Sequence, residues 1–219
     1  MNLFNPIIIG EIVSLIVALL LLLKDNNIFW KVNIVYLFIA LSTETAGGYL
    51  AQQHKHNLWI YNTFLIFEIT FISYGMYYCL KKYMNPRPIV FTGLGICYLT
   101  FIIFTFRNGI HYYNDISNDQ TVNVMSVIFV LYCLYYYYKL LNDEETLDLK
   151  YHPEFWWVNG VLFYYFGSTA TNLTYGIFTV NVFEHVPLRL FIYYITNAIL
   201  YSNWIYSYIC RAKQRRLQS

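Results

Sequence analysis

NLWIYNTFLIFEITFISYGMYYCLKKYMNPR, residues 57–87, decides the fold. Its first 24 residues carry a single charge, Glu68, and the next seven carry Lys81, Lys82 and Arg87. An α-helix needs about 20 residues to cross a ~30 Å hydrocarbon core, so 57–80 reads as one membrane crossing. Lys and Arg collect in cytoplasmic loops, so its basic flank marks the inner side. Worked outward in both directions, residues 6–23, 28–50, 88–106, 121–139, 154–178 and 187–210 repeat the apolar pattern. Eleven of the 14 Lys and Arg residues lie in or beside alternate gaps; only Lys55, Arg107 and Arg189 lie on the other side. The expectation is an all-α polytopic membrane protein of seven transmembrane helices, N-terminus outside and C-terminus inside.

Composition agrees. The chain is 58% hydrophobic and 12% charged, where a soluble domain carries about 25% charged residues. Tyrosine (24 residues) and phenylalanine (17 residues) fit aromatic belts at the two interfaces. The run Tyr135 to Tyr138, beside Lys139, reads as such an anchor. Cys79, Cys97, Cys133 and Cys210 all fall inside predicted helices, which points to reduced, packed thiols rather than a disulfide framework.

The gaps exclude much. The longest, 107–120 outside and 140–153 inside, have no room for a soluble catalytic, nucleotide-binding or nucleic-acid-binding domain. No Gly-rich phosphate loop, GxSxG elbow or kinase signature is present, and no cofactor is implied. Arg211, Lys213, Arg215 and Arg216 form a basic tail that could meet a partner or anionic lipid. A plain positive-inside signal is the commoner use of such a tail.

An ungapped internal repeat aligns residues 29–49 with 155–175, and nine of 21 positions are identical, among them Trp30/Trp156, Asn33/Asn159 and Thr43/Thr169. Both copies run from inside to outside, so the repeat is parallel. It divides the single domain, 1–219, into a first triplet (1–82), a linker helix with an outer loop (83–120), a second triplet (121–211) and a tail (212–219). Parallel repeats are one of the transporter plans, with a site where the halves meet.

This 3+1+3 layout is loosely similar in architecture to the group of SWEET transporters, PQ-loop proteins and microbial rhodopsins. No Pro-Gln pair stands where a PQ-loop protein needs one, and the seventh segment has no lysine for a retinal Schiff base. Three pieces carry a closer resemblance: Thr43-Glu44, the run Tyr61-Asn62-x-Phe64-x-x-x-Glu68, and Pro153-x-Phe155-Trp156. On these the chain resembles standalone seven-helix membrane proteins of Bacteroidota that look like the membrane domains of sensor kinases. The resemblance implies a bacterial inner membrane location and a signalling role through a partner, such as a separately encoded histidine kinase, or through a homo-oligomer.

Charges inside a membrane are expensive, roughly 2.5–3.5 kcal/mol each on insertion scales. Glu11, Glu44 and Glu68 take that risk on three consecutive segments. Glu44 shares a helical face with Ala40, Gly47, Gly48 and Ala51, which either packs closely or leaves room for a ligand. Tyr61 lies two turns from Glu68 on one face. Thr171 and Asn172 on the sixth segment and Asn197 and Asn203 on the seventh complete the candidate ligand- or proton-binding set. Interhelical hydrogen bonding is the ordinary alternative for all of these, and Glu11, near the interface, is read that way. His54, His56, His111 and His185 fall in outer loops, where imidazoles are mostly solvated but could bind a metal. Seven-helix zinc hydrolases need histidines within their helices, which this chain lacks. The leading expectation is therefore a sensor of a small molecule or envelope state. The alternative is a small-solute or proton-coupled transporter. An enzyme comes behind both, since no nucleophile or metal ligand set accompanies the acids.

Overall fold

A computed structural model describes residues 6–109, 113, 116–143, 148–173, 181–183 and 186–218. Seven helices follow in order: α1 (Pro6–Leu22), α2 (Ile28–Gln52), α3 (Leu58–Leu80), α4 (Arg87–Asn108), α5 (Asp119–Leu141), α6 (Pro153–Leu173) and α7 (Leu188–Gln218). Their starts have local causes. Pro6, Pro88 and Pro153 lie in first turns, where a missing N–H leaves no helical bond unmade. Asn27 caps α2 by accepting from the Phe29 amide at 2.9 Å, and Asn118 caps α5 by accepting from Thr121 at 3.3 Å.

Two details differ from the sequence expectation. A short antiparallel hairpin, β1 (Asn181–Phe183) and β2 (Val186–Pro187), leads into α7 and adds a trace of strand to the helices of the described residues. The basic tail is not a separate element either: α7 runs on to Gln218. RAKQRRLQ contains neither glycine nor proline and is rich in strong helix formers, so nothing stops the helix after Cys210.

Short loops make successive helices antiparallel neighbours. α1 packs on α2, α2 on α3, α3 on α5, α5 on α6, α6 on α7, and α7 back on α1, which closes a ring of six. α4 packs on α3 and α5, outside that ring. By length and composition α2, α3, α4 and α5 can cross a membrane, and α1 is a shorter apolar helix. Ile9, Ile16 and Leu20 on α1, and Phe91, Leu99, Ile103 and Phe106 on α4, are exposed, a surface suited to a bilayer rather than to water. The tyrosine run divides. Lys139 lies over the rings of Tyr135 and Tyr138, as an interfacial anchor would, whereas Tyr136 is fully buried against Tyr83. All four cysteines are buried and free.

The half of the ring near the Lys/Arg-rich loops is filled by aromatic side chains. Trp157 stacks on Trp204 at 5.7 Å and 4°, and Tyr36 stacks on Phe71 at 3.9 Å and 10°. Both indoles are satisfied: Trp157 Nε1 donates to Asn33 Oδ1 at 2.9 Å and Trp204 Nε1 to the Trp157 carbonyl at 3.2 Å. Asn159, which aligns with Asn33, accepts from the Tyr137 phenol at 3.1 Å and donates to Asn203 at 2.8 Å. Gly75 lets α3 approach this plug, and a Cβ there would collide with the Trp157 ring. Asn33 and Trp204 hold that ring in place. Gly75→Ala is thus expected to lose about 1–3 kcal/mol through overpacking, read as a lower melting midpoint; an unchanged midpoint would mean that Trp157 yields.

At the same end the α1–α2 loop is clamped to α7. Arg211 donates from Nε to Asp25 Oδ2 at 2.8 Å and from Nη2 to Oδ1 at 3.0 Å, and Arg215 Nη1 stands 3.8 Å away. The Asn27 amide adds a hydrogen bond at 2.8 Å. Burial pushes the Asp25 carboxyl up, but the Arg211 hydrogen bonds, the Asn27 amide and the two arginine charges outweigh it and hold the group below its ordinary value of 3.8.

Candidate functional site

In the other half of the ring the six helices stand around a cavity of about 590 Å³, the size of a small-molecule site. Helical periodicity selects its walls. From α3 come Tyr61, Asn62, Leu65 and Glu68; from α6, Tyr164, Tyr165, Ser168, Thr171 and Asn172. α7 supplies Tyr193, Thr196, Asn197, Leu200 and Tyr201, and α2 supplies Ala40, Thr43 and Glu44. Glu11 enters from α1, Asp119 and Val122 from α5, and α4 contributes nothing. Leu58, Ser117, Asn118 and Pro187 border the cavity at the Lys/Arg-poor end. Tyr36, Ile72 and Trp204 form its floor, so the cavity rests directly on the aromatic plug to which Tyr36 and Trp204 belong.

Asn62 shapes the rim. Its Nδ2 donates to the carbonyls of Tyr113 at 2.8 Å and Ile116 at 3.0 Å, and its Oδ1 accepts from the Asn118 amide at 3.2 Å. One buried amide on α3 thereby fixes the end of the α4–α5 loop and the start of α5.

Each of the three acids Glu11, Glu44 and Glu68 meets a tyrosine from another helix. Tyr165 of α6 donates to Glu68 Oε1 of α3 at 2.7 Å. Tyr201 of α7 donates to Glu11 Oε1 of α1 at 3.0 Å. Tyr61 of α3 reaches Glu44 of α2, its phenol packed over Gly47. The Tyr165 and Tyr201 hydrogen bonds each occupy one carboxyl oxygen. Glu11 Oε2 is buried and has no hydrogen-bond partner, on a residue only 3% exposed. Glu44 is near enough to both Glu11 and Glu68 for their charges to interact.

Of the residues singled out from sequence, Glu44, Glu68, Tyr61, Thr171, Asn172 and Asn197 line this one cavity. The small-residue face of α2 divides: Ala40 opens onto the cavity, while Gly47 receives Tyr61. Asn172 Nδ2 donates to Asn123 at 2.9 Å, and Thr171 and Asn197 bond back to their own helices. Asn203 is not brought in; it pairs with Asn159 in the packed half. His54 and His56 are exposed, and His111 and His185 lie outside the described residues, so no metal group of three forms among the described residues. Arg211 and Arg215 face Asp25. Tyr36, Tyr165, Tyr193 and Tyr201 escaped the sequence argument, although Tyr193, Asn197 and Tyr201 repeat every four positions along one face of α7, and Glu11, read from sequence as a packing group, also lines the cavity. Comparison with family models, with curated proteins and with solved structures finds no match to the chain.

Proposed function

We propose that the chain is an integral membrane sensor that binds a small molecule in the six-helix cavity and acts through a partner protein. One observation carries this reading: α7 lines the cavity and runs unbroken to the opposite end of the bundle, where Arg211 meets Asp25. Its 31 residues span about 46 Å, well beyond a ~30 Å hydrocarbon core. Tyr193 and Tyr201 at one end and Lys213 and Arg216 at the other belong to a single uninterrupted helix, so a shift imposed by a ligand reaches the far side without a joint.

The Lys/Arg bias supports an N-terminus outside and a C-terminus inside, with the cavity facing outward and the basic end of α7 in the cytoplasm of a bacterial inner membrane. A separately encoded histidine kinase, another signalling protein or a second copy of the chain would dock at that basic end. Arg211 and Arg215 set the helix through Asp25, and Arg211, Lys213, Arg215 and Arg216 together form the basic surface offered to the partner. The parallel 3+1+3 division belongs to the same proposal, with α1–α3 facing α5–α7 across the cavity and α4 outside.

A second reading, a small-solute or proton-coupled transporter, is favoured by the position of Glu68 in the cavity's lower wall, close above the aromatic floor. It requires the Trp157–Trp204 stack to part. Purification from native membranes in mild detergent, with mass spectrometry of retained proteins and small molecules, separates the two. A stoichiometric signalling partner is expected; a lone protein that performs solute counterflow in proteoliposomes would replace the sensor by the transporter. Glu68→Gln is expected to abolish ligand retention with melting unchanged. Lowered melting with retention intact would make the acid a packing group.

A further inference from the structure

We infer that the cavity's ligand is an organic amine, a protonated di- or polyamine held by Glu11, Glu44 and Glu68; this rests on the reading above that the cavity binds a small molecule. Four acids line it, Glu11, Glu44, Glu68 and Asp119, and no Lys, Arg or His is among its described lining residues. A carboxyl taken from water needs either a counter-charge or a proton, and the described lining residues supply no counter-charge. An anionic ligand would bring a like charge to four acids, whereas an ammonium group brings the opposite one and favours their ionised form.

Glu11 sharpens the chemistry. Its Oε1 is taken by Tyr201, while its Oε2 is buried without a partner. An acceptor oxygen in that state is met by an N–H or O–H donor. Primary and secondary ammonium groups have one; a quaternary ammonium does not. A bare metal ion fits poorly, because no three acidic, His or Cys side chains converge among the described residues. A cavity of about 590 Å³ also holds many more atoms than one ion.

The acids are staggered in depth. Counted from the helix ends at the Lys/Arg-poor side, Glu11, Glu44 and Glu68 lie about 8, 12 and 15 Å down at 1.5 Å per residue. An extended chain with more than one ammonium group meets several of them together. Tyr164, Tyr193, Tyr201 and Trp204 supply aromatic walls that attract cations and pack methylenes between them.

The test is titration of the full chain in lipid nanodiscs with spermidine at neutral pH and physiological salt, followed by calorimetry and melting. Tetramethylammonium, sorbitol and succinate serve as quaternary, neutral and anionic comparisons. Spermidine is expected to raise the melting midpoint and to bind at least about tenfold tighter than the other three. Glu11→Gln and Glu68→Gln are each expected to weaken spermidine by about tenfold or more. Should Glu11→Gln fail to fold, Glu68→Gln carries the comparison. Tighter binding of sorbitol or succinate would overturn the amine assignment and leave the cavity as a binding site. Spermidine binding that both variants leave unchanged would place the amine on the surface and likewise overturn it. If none of the four probes binds, the amine assignment falls, and a retained metabolite of another class from native membranes would then preserve the sensor reading alone.

Discussion

Trp157→Ala is expected to lose about 3–5 kcal/mol, the range for deleting a large buried aromatic. The side chain is fully buried, stacks on Trp204 and donates to Asn33. Its removal also leaves Asn33 Oδ1 with only the distant Tyr208 phenol at 3.4 Å, so an unmet acceptor adds to the lost packing. The loss reads as a fall in melting midpoint in detergent. Trp157→Phe, which keeps much of the ring, should recover most of it. Equal losses in the two variants would shift the weight from packing to the indole N–H. Because the ring belongs to the plug beneath the cavity, the alanine variant should also leak small solutes across proteoliposomes if the plug is what seals the bundle.

Asp25→Ala is expected to lose about 3 kcal/mol or slightly more, because removing one partner of a buried ion pair strands the other. Asp25 is fully buried and Arg211 retains 18% side-chain exposure, which places the loss at the lower end of the range for such pairs. The pH dependence has a definite sign. Asp25 is held below 3.8 in the folded protein, so its contribution is complete above about pH 4 and is lost only as pH falls through the lowered value. The melting gap between wild type and Asp25→Asn should therefore be flat from about pH 5 to 8 and close below about pH 4. A gap that closed near neutrality would mean that another group controls this end of the bundle.

The seven helices were legible because each apolar segment stands between polar flanks, as 57–80 does between His56 and Lys81. The end of α7 was not, since Lys and Arg mark where a chain leaves the hydrocarbon and say nothing of where a helix stops. In the site, Glu44 and Glu68 declared themselves by the energetic penalty of their position. Their tyrosine partners did not. Tyrosine is equally at home in an interfacial belt, and which ring meets which acid depends on helix neighbours, such as the α1–α7 contact, that no local pattern encodes. Asn203 was avoidable. It stands six positions from Asn197, and at about 3.6 residues per turn the two occupy different faces of α7.

The closed ring sets the order in which the molecule can be completed. Glu11 and Tyr201 are 190 residues apart, and Asp25 and Arg211 are 186 apart. During synthesis the first helix is made long before the last, and both of these ties wait for it. Until α7 arrives, α1 has only α2 beside it, the seam between them stays open, and Glu11 lacks its phenol. Contacts of such large sequence separation form slowly, and α7 acts as a clasp on the ring around the cavity.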